Sequence, residues 1–265
     1  MPFYKMQASG NDFVVVDNRQ GAVRDSLAFT RKVCALHTGI GADGVLFFEN
    51  SKKADFKMRI INSDGSEAEA CGNGFRCISK FAKEVLNFPS EFQFESVSGL
   101  IQAHVNYASI KVQLMEPVGY RSGVLKDIVN RDFHYECINT GVPHAVIFVE
   151  GLEKIDVVAL GPKIRFHETF APAGTNVNFV EVLGKDSICV RTYERGVEAE
   201  TLACGTGSSA SAITSTLKGY TEPPIQVRTR GGEVLTVNFK IEGKKITDVT
   251  LQGEAHFVFK GELLQ

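Results

Sequence analysis

No uninterrupted apolar stretch in this 265-residue chain approaches the roughly 20 residues that a membrane helix requires, so no transmembrane anchor is expected. The opening Met1-Pro2-Phe3-Tyr4-Lys5 lacks the basic-then-apolar pattern of a secretory signal, and the expected location is the cytoplasm. An excess of one charge is missing too. Lys and Arg number 29 against 31 Asp and Glu, a net −2, whereas affinity for nucleic acid or an anionic membrane needs a basic excess or patch. The six cysteines form no Cys-x-x-C pair and no short cluster with His at zinc-finger spacing, so no metal site is expected. Nor is a disulfide framework, because a chain this long builds its own core and the expected compartment is reducing. Gly39-Ile40-Gly41-Ala42-Asp43-Gly44 superficially resembles a nucleotide loop. It lacks the Lys-Ser/Thr of a P-loop and the complete G-x-G-x-x-G pattern, and reads as a turn before a strand. No lysine stands in a convincing Schiff-base setting, so pyridoxal chemistry is not indicated.

What is present is an ordinary globular composition, 43% apolar and 23% charged, with length enough for about two domains. Strands are expected at Asp12–Val16, Val45–Glu49, Asp55–Asn62, Glu91–Val97, Leu100–Val105 and Ile110–Met115, with a helix from Ser26 to Ala35. A second helix should follow Gly74, with Phe75, Ile78, Phe81, Ala82 and Val85 along one face. Glu116-Pro117-Val118-Gly119 breaks the pattern and is the candidate linker. The second half repeats the first: strands at Val142–Val149, Val177–Val182 and Ser187–Tyr193, a helix around Leu152–Leu160, a small-residue helix opened by Gly207, and three strand-like runs to Phe259. The expected fold class is α+β, two pseudo-symmetric αβ domains around a shared cleft, with strands wrapped around a central helix in each. The expected domains are 1–116, completed by about 256–265, and 117–255. Cys34, Cys77, Cys137 and Cys189 read as small buried side chains.

Cys71 and Cys204 are different. Each heads a Cys-Gly-x-Gly turn just before a central helix: Cys71-Gly72-Asn73-Gly74 and Cys204-Gly205-Thr206-Gly207. The glycines let the backbone bend and let a ligand approach its N–H groups, which are the unpaired donors of the coming helix. A helix N-terminus binds carboxylates and favours thiolate over thiol. Two such turns in matching positions suit inversion at the α-carbon of an amino acid. One thiolate removes the α-proton, an opposing thiol returns one to the other face, and groups of similar basicity near the working pH do this without a cofactor.

At these residues the sequence resembles the diaminopimelate epimerase family. The resemblance is carried by Gly10-Asn11-Asp12-Phe13, Asn62-Ser63-Asp64-Gly65-Ser66, Cys71-Gly72-Asn73-Gly74 with Arg76-Cys77, Thr140-Gly141-Val142-Pro143-His144, Thr175-Asn176, Glu194-Arg195-Gly196 and Cys204-Gly205-Thr206-Gly207, in the family's order. It implies that Cys71 and Cys204 are the paired acid and base. It further implies that Gly72 with Asn73 and Gly205 with Thr206 hold the α-carboxylate, and that Asn62, Asn176 and Arg195 bind the distal carboxylate. Glu194 would receive the distal ammonium, Asn11 make a further substrate contact, and His144 support catalysis beside the site. An Arg fork and amide donors suit a carboxylate, and a Glu suits an ammonium. The resemblance also implies a small-molecule substrate, diaminopimelate, no cofactor, and a homodimer.

Three positions depart from the family's pattern: Gly44 where several members carry Gln, Val142 where several carry Asn, and a Glu194–Thr201 segment one residue longer than usual, shifting the Glu-Arg pair relative to Cys204. They raise the expectation of relaxed specificity that extends to a shorter acidic amino acid such as glutamate. Two other readings stay open: a cofactor-independent racemase of the proline type, which leaves Asn62, Asn176, Glu194 and Arg195 without purpose, and a dithiol redox or binding protein joining Cys71 to Cys204.

Overall fold

The structure, a computed structural model, describes residues 1–107 and 109–264; Ala108 and Gln265, both within the segments expected to make the first domain, lie outside them. The chain divides into two compact units, Met1–Gln113 with Gln252–Gln265, and Leu114–Leu251.

The first unit contains β1 (Pro2–Ala8), β2 (Asn11–Asp17), α1 (Ser26–Cys34), β3 (Gly44–Glu49), β4 (Phe56–Asn62), α2 (Gly72–Glu84), β5 (Glu91–Ser96), β6 (Gly99–Val105), β7 (Ile110–Gln113) and the chain's last strand, β17 (His256–Glu262). Starting from β17, successive neighbours are β1 antiparallel, β2 antiparallel, β3 parallel, β4 antiparallel, β5 parallel, β6 antiparallel and β7 antiparallel. Val45, Leu46, Phe47 and Phe48 in β3 are all fully buried, the continuous apolar run of a strand covered on both faces. One face, with Val14, Val16, Val45, Phe47 and Ile61, packs against Val33 and Cys34 of α1. The other meets α2, where a Cβ placed on Gly74 would lie 3.1 Å from Met58 and 3.3 Å from Leu46. Phe75, Ile78, Phe81 and Ala82 are buried as their spacing predicts. Asn73, Arg76 and Ser79 are buried as well, so α2 is enclosed along its first two turns rather than on one face. It also starts earlier than expected, at Gly72, because Cys71 serves as its N-cap.

The second unit contains β8 (Val118–Leu125), β9 (Phe133–Asn139), β10 (Pro143–Phe148), α3 (Val157–Arg165), β11 (Asn176–Gly184), β12 (Ser187–Glu194), β13 (Ala199–Thr201), α4 (Gly205–Leu217), β14 (Ile225–Arg228), β15 (Val234–Glu242) and β16 (Lys245–Gly253). Starting from β8, the neighbours are β9 antiparallel, β10 antiparallel, β11 parallel, β12 antiparallel, β14 parallel and β15 antiparallel. These six steps repeat the first six of the first unit's series in order and sense, with α3 in the place of α1 and α4 in the place of α2. Residues Gly205 to Ser215 of α4 are all buried, although many are Ser or Thr. Their hydroxyls are satisfied inside the helix: Ser209, Ser211 and Thr214 donate to the carbonyls of Gly205, Gly207 and Ala210 at 3.1, 2.7 and 2.8 Å.

Several expectations change. Val118 and Gly119, read as part of a break, open β8, whose outward Val118 and Tyr120 stay exposed and so give no alternation to read. The helix expected at 152–160 is a short 3-10 turn at Leu152–Lys154 followed by α3, because the Asp156 carboxylate accepts from the Ala159 N–H at 3.0 Å and restarts the helix there. Four strands, not three, follow α4. Cys189 is half-buried rather than enclosed.

Candidate active site

Cys71 is the N-cap of α2 and Cys204 the N-cap of α4, both with extended backbone. Each sulfur accepts the N–H of the glycine three residues on, Gly74 and Gly207, at 3.4 Å in both. A Ser or Asp cap holds a helix start with oxygen; here a sulfur takes that role twice, at equivalent places in the repeat. Elsewhere in the chain, burial raises the thiols of Cys137 and Cys189 and pushes Cys34 up to about 11.

In the first unit, Asn11 opens β2, and its amide donates to the Asp43 carboxylate at 2.6 Å. That leaves the Asn11 carbonyl oxygen toward α2, where it accepts from the Cys71 thiol at 3.6 Å and from the Asn73 amide at 3.4 Å. Asn73 is oriented in turn by Arg76, fully buried, which donates to its carbonyl at 2.7 Å and to the Glu254 carbonyl at 2.8 Å. Asn62 closes β4 opposite Gly44, and its amide donates to Ser66 at 3.0 Å across a tight turn. The neighbouring Ser63 N–H reaches the Asp43 carbonyl at 2.9 Å.

In the second unit, His144 on β10 stands beside Asn176 on β11 and has no solvent exposure. One ring nitrogen lies 3.0 Å from the Thr206 hydroxyl, and the other 3.2 Å from the Asn178 amide. Burial pushes the imidazole down to about 3, and the Arg195 guanidinium adds in the same direction, so His144 is neutral at ordinary pH. The Thr206 hydroxyl also lies 3.5 Å from the Cys204 sulfur. The Asn176 side-chain carbonyl accepts the Arg195 N–H at 2.7 Å, while its amide donates to the Pro143 carbonyl at 3.2 Å. Glu194 and Arg195 are half-buried at the end of β12. Gly205 and Thr206 sit buried in the first turn of α4.

The first unit thus gathers Asn11, Cys71, Gly72 and Asn73 at one helix start, with Asn62 two steps away through Asp43. The second gathers His144, Cys204, Gly205 and Thr206, with Asn176 and Arg195 linked at the adjoining strand ends. Each helix start places the N–H groups of its first turn beside a sulfur, an arrangement suited to a carboxylate and to proton transfer at an acidic carbon.

A family model described as diaminopimelate epimerase matches residues 3–118 and 136–258. A curated diaminopimelate epimerase from Aquifex aeolicus (strain VF5) is 48% identical, over 99% of this chain and 98% of that protein. The chain belongs to the diaminopimelate epimerase family. A diaminopimelate epimerase from Flavobacterium psychrophilum is 40% identical over 98% of this chain and 99% of that one. At the level of fold alone, a PhzF-family phenazine biosynthesis protein from Bacillus anthracis aligns with a TM-score of 0.75 at 17% identity, over 100% of this chain and 99% of that one. A hydroxyproline epimerase from Agrobacterium vitis aligns with a TM-score of 0.68 at 16% identity, over 98% and 91%.

Two of the three departures from the family pattern have local causes. A side chain at Gly44 would bring its Cβ within 2.7 Å of the Ile61 carbonyl, so the approach of β4 dictates glycine there. The long Glu194–Thr201 segment forms a hairpin in which the Glu198 N–H donates to the Glu194 carbonyl at 2.8 Å, while Arg195 keeps its bond to Asn176. The reading of 39–44 as a mere turn missed Asp43, which orients Asn11. Asn178 and the role of Arg76 were missed as well. Their signal was a polar residue inside an otherwise apolar run, Asn178-Phe179-Val180 and Phe75-Arg76-Cys77, which demands a buried partner.

Among the described residues no group of three His, Cys, Asp or Glu side chains is arranged to hold a metal ion, and no helix is long and apolar enough to cross a membrane.

Proposed function

We propose that this chain converts LL-diaminopimelate to meso-diaminopimelate by cofactor-independent inversion of the α-carbon, with Cys71 and Cys204 as the two acid–base groups. The observation that carries this reading is the duplicated cap: two sulfurs, each accepting the third N–H of its own buried helix, at equivalent points of a repeat in a chain of this family. One thiolate takes the α-proton, so that an S–H bond forms as the Cα–H bond breaks, and the electron pair spreads into the α-carboxylate. The second thiol then gives its proton to the carbon, with inversion, and is left as thiolate. The N–H groups around Gly72, Asn73, Gly205 and Thr206 stabilise the negative charge that develops on the carboxylate. Asn62, Asn176 and Arg195 bind the distal carboxylate, Glu194 the distal ammonium, and Asn11 and His144 act beside the sulfurs. A cytoplasmic homodimer belongs to the same proposal, supported by the family alone, and sedimentation of the purified protein weighs it.

The test is exchange at the α-carbon in deuterated water with diaminopimelate, L-glutamate in parallel, and Cys71→Ala and Cys204→Ala beside the unaltered chain. Deuterium entering diaminopimelate with inversion, lost at least 10³-fold in both variants (on the order of an acid–base group's contribution), is the expected result. Incorporation into glutamate as well would establish the relaxed specificity that Val142 and the long hairpin raise. No exchange from reduced, folded protein would remove the epimerase reading in favour of a dithiol one.

A further inference from the structure

The two sulfurs occupy equivalent positions, but the groups around them are not equivalent. In the second unit, the Ala145 carbonyl can only accept, and it lies 3.1 Å from the Asn178 side-chain nitrogen. The Thr192 hydroxyl lies 3.0 Å from the Asn178 oxygen. These contacts fix the Asn178 amide with its NH2 toward His144, so the Nδ1 atom of His144 is an acceptor and the ring proton resides on Nε2. Nε2 therefore donates to the Thr206 oxygen at 3.0 Å. With that lone pair engaged, the Thr206 hydroxyl proton is directed to the Cys204 sulfur, 3.5 Å away. Cys204 then receives two hydrogen bonds, from the Thr206 hydroxyl and the Gly207 N–H. Donors of this kind favour the ionised form of an acid.

The first unit is set the opposite way. The Asp43 carboxylate can only accept, so the Asn11 NH2 must face it and the Asn11 oxygen must face Cys71. Arg76 can only donate, so the Asn73 oxygen faces Arg76 and its NH2 also points at the Asn11 oxygen. Cys71 keeps the Gly74 N–H donor that matches Gly207 at Cys204, but where Cys204 meets the Thr206 hydroxyl Cys71 meets the Asn11 oxygen, an acceptor that favours the protonated form. The charged groups bearing on the two networks include Asp43, Asp12 with its ion-pair partner Lys5, and Arg76 in the first unit, and Arg195, acting on His144, in the second.

We propose that Asn178 is a positioning residue: by fixing the His144 tautomer it turns the Thr206 hydroxyl proton onto Cys204 and makes Cys204 the resting thiolate, while Asp43 and Asn11 keep Cys71 as the resting thiol. The free enzyme is thereby preset to accept an α-proton at Cys204 and to donate one from Cys71, and turnover in the reverse sense first requires the two sulfurs to exchange roles. This rests on the reading that the two sulfurs transfer α-protons. Its test needs no substrate, so the two can fail separately.

The experiment is iodoacetamide alkylation as a function of pH, with the labelled peptide identified by mass. Cys204 is titrated in a Cys71→Ser protein and Cys71 in a Cys204→Ser protein, so neither sulfur perturbs the other. The pH midpoint of the rate reads thiolate formation independently of access. The expected midpoint of Cys204 lies below that of Cys71. Thr206→Val raises it by about one pH unit through loss of one donor, Thr206→Ser restores it, and Asn178→Leu raises it as Thr206→Val does. Imidazole 15N shifts of the unaltered protein provide a readout that survives if Asn178→Leu does not fold; the proton is expected on Nε2 of His144. Coincident or reversed midpoints, a Cys204 midpoint indifferent to Thr206→Val, or a proton on Nδ1 would overturn the proposal.

Discussion

A histidine sealed inside β10 ties folding to pH in one direction. His144 is held down to about 3 in the folded chain, chiefly by burial, whereas an unfolded histidine titrates near 6.5. Above pH 6.5 the ring is neutral in both states and its full contribution is present. As the pH falls through 6.5 toward 3, the unfolded chain binds a proton that the folded chain refuses, and stability is lost. At pH 5 the loss is about 2 kcal/mol. Urea midpoints at pH 7.5 and 5 should therefore fall further for the unaltered protein than for His144→Gln, and equal losses would show that the ring is not kept neutral. Residues at this scale differ in how plainly a sequence displays them. Cys71 and Cys204 are legible because the cap, the glycines and the helix are contiguous. Asn178, Asp43 and Arg76 are less so, because what each does depends on partners distant in sequence, such as Asn178 with His144, Asp43 with Asn11 and Arg76 with Glu254.

Among the elements, one close approach falls where strand meets strand near the predicted site residues. Gly44 pairs with Asn62 across β3 and β4, and the Ile61 carbonyl occupies the space a side chain would need. A Gly44→Gln protein should be destabilised by about 1–3 kcal/mol as the strands are forced apart. Denaturant unfolding monitored on both proteins checks this, and an unchanged midpoint would return Gly44 to the list of specificity determinants. Gly207 is similarly confined, since a Cβ there would come within 2.4 Å of the Asn178 oxygen. That glycine therefore serves both the cap of Cys204 and the placement of the amide that orients His144. Most strands were readable from their apolar runs, and α2 from its spacing. The start of α3 was not, because apolar spacing around Leu152–Leu160 continues across Asp156, where the cap interrupts it. β8 went unread because all but two of its residues are exposed, which leaves no alternation to read.

For the molecule as a whole, the repeat is permuted. The second unit begins with β8, which lies beside β9 as β17 lies beside β1. The first unit therefore receives its corresponding strand from the far end of the chain. The matching Cys-Gly-x-Gly turns announce a duplication, but the exchange of a terminal strand depends on long-range pairing that no local pattern encodes. β17 is not a passive edge, because Phe259 meets Phe3 and Phe257 meets Tyr4 edge-on, at 5.9 and 5.8 Å between ring centres. Just before it, the Glu254 carbonyl anchors Arg76, which orients Asn73 beside the Cys71 cap. A chain ending at Gly253 loses the strand, both ring contacts and that anchor together. Its second unit keeps the whole series of pairings from β8 to β15, all of which lie between residues 118 and 242. Amide hydrogen exchange should then show protection lost in β1, β2 and the first turn of α2 and retained in β10, β11 and β12. Equal loss in both units would mean that they fold only as one cooperative body, and unchanged protection in β1 would mean that β17 contributes nothing to the unit it completes.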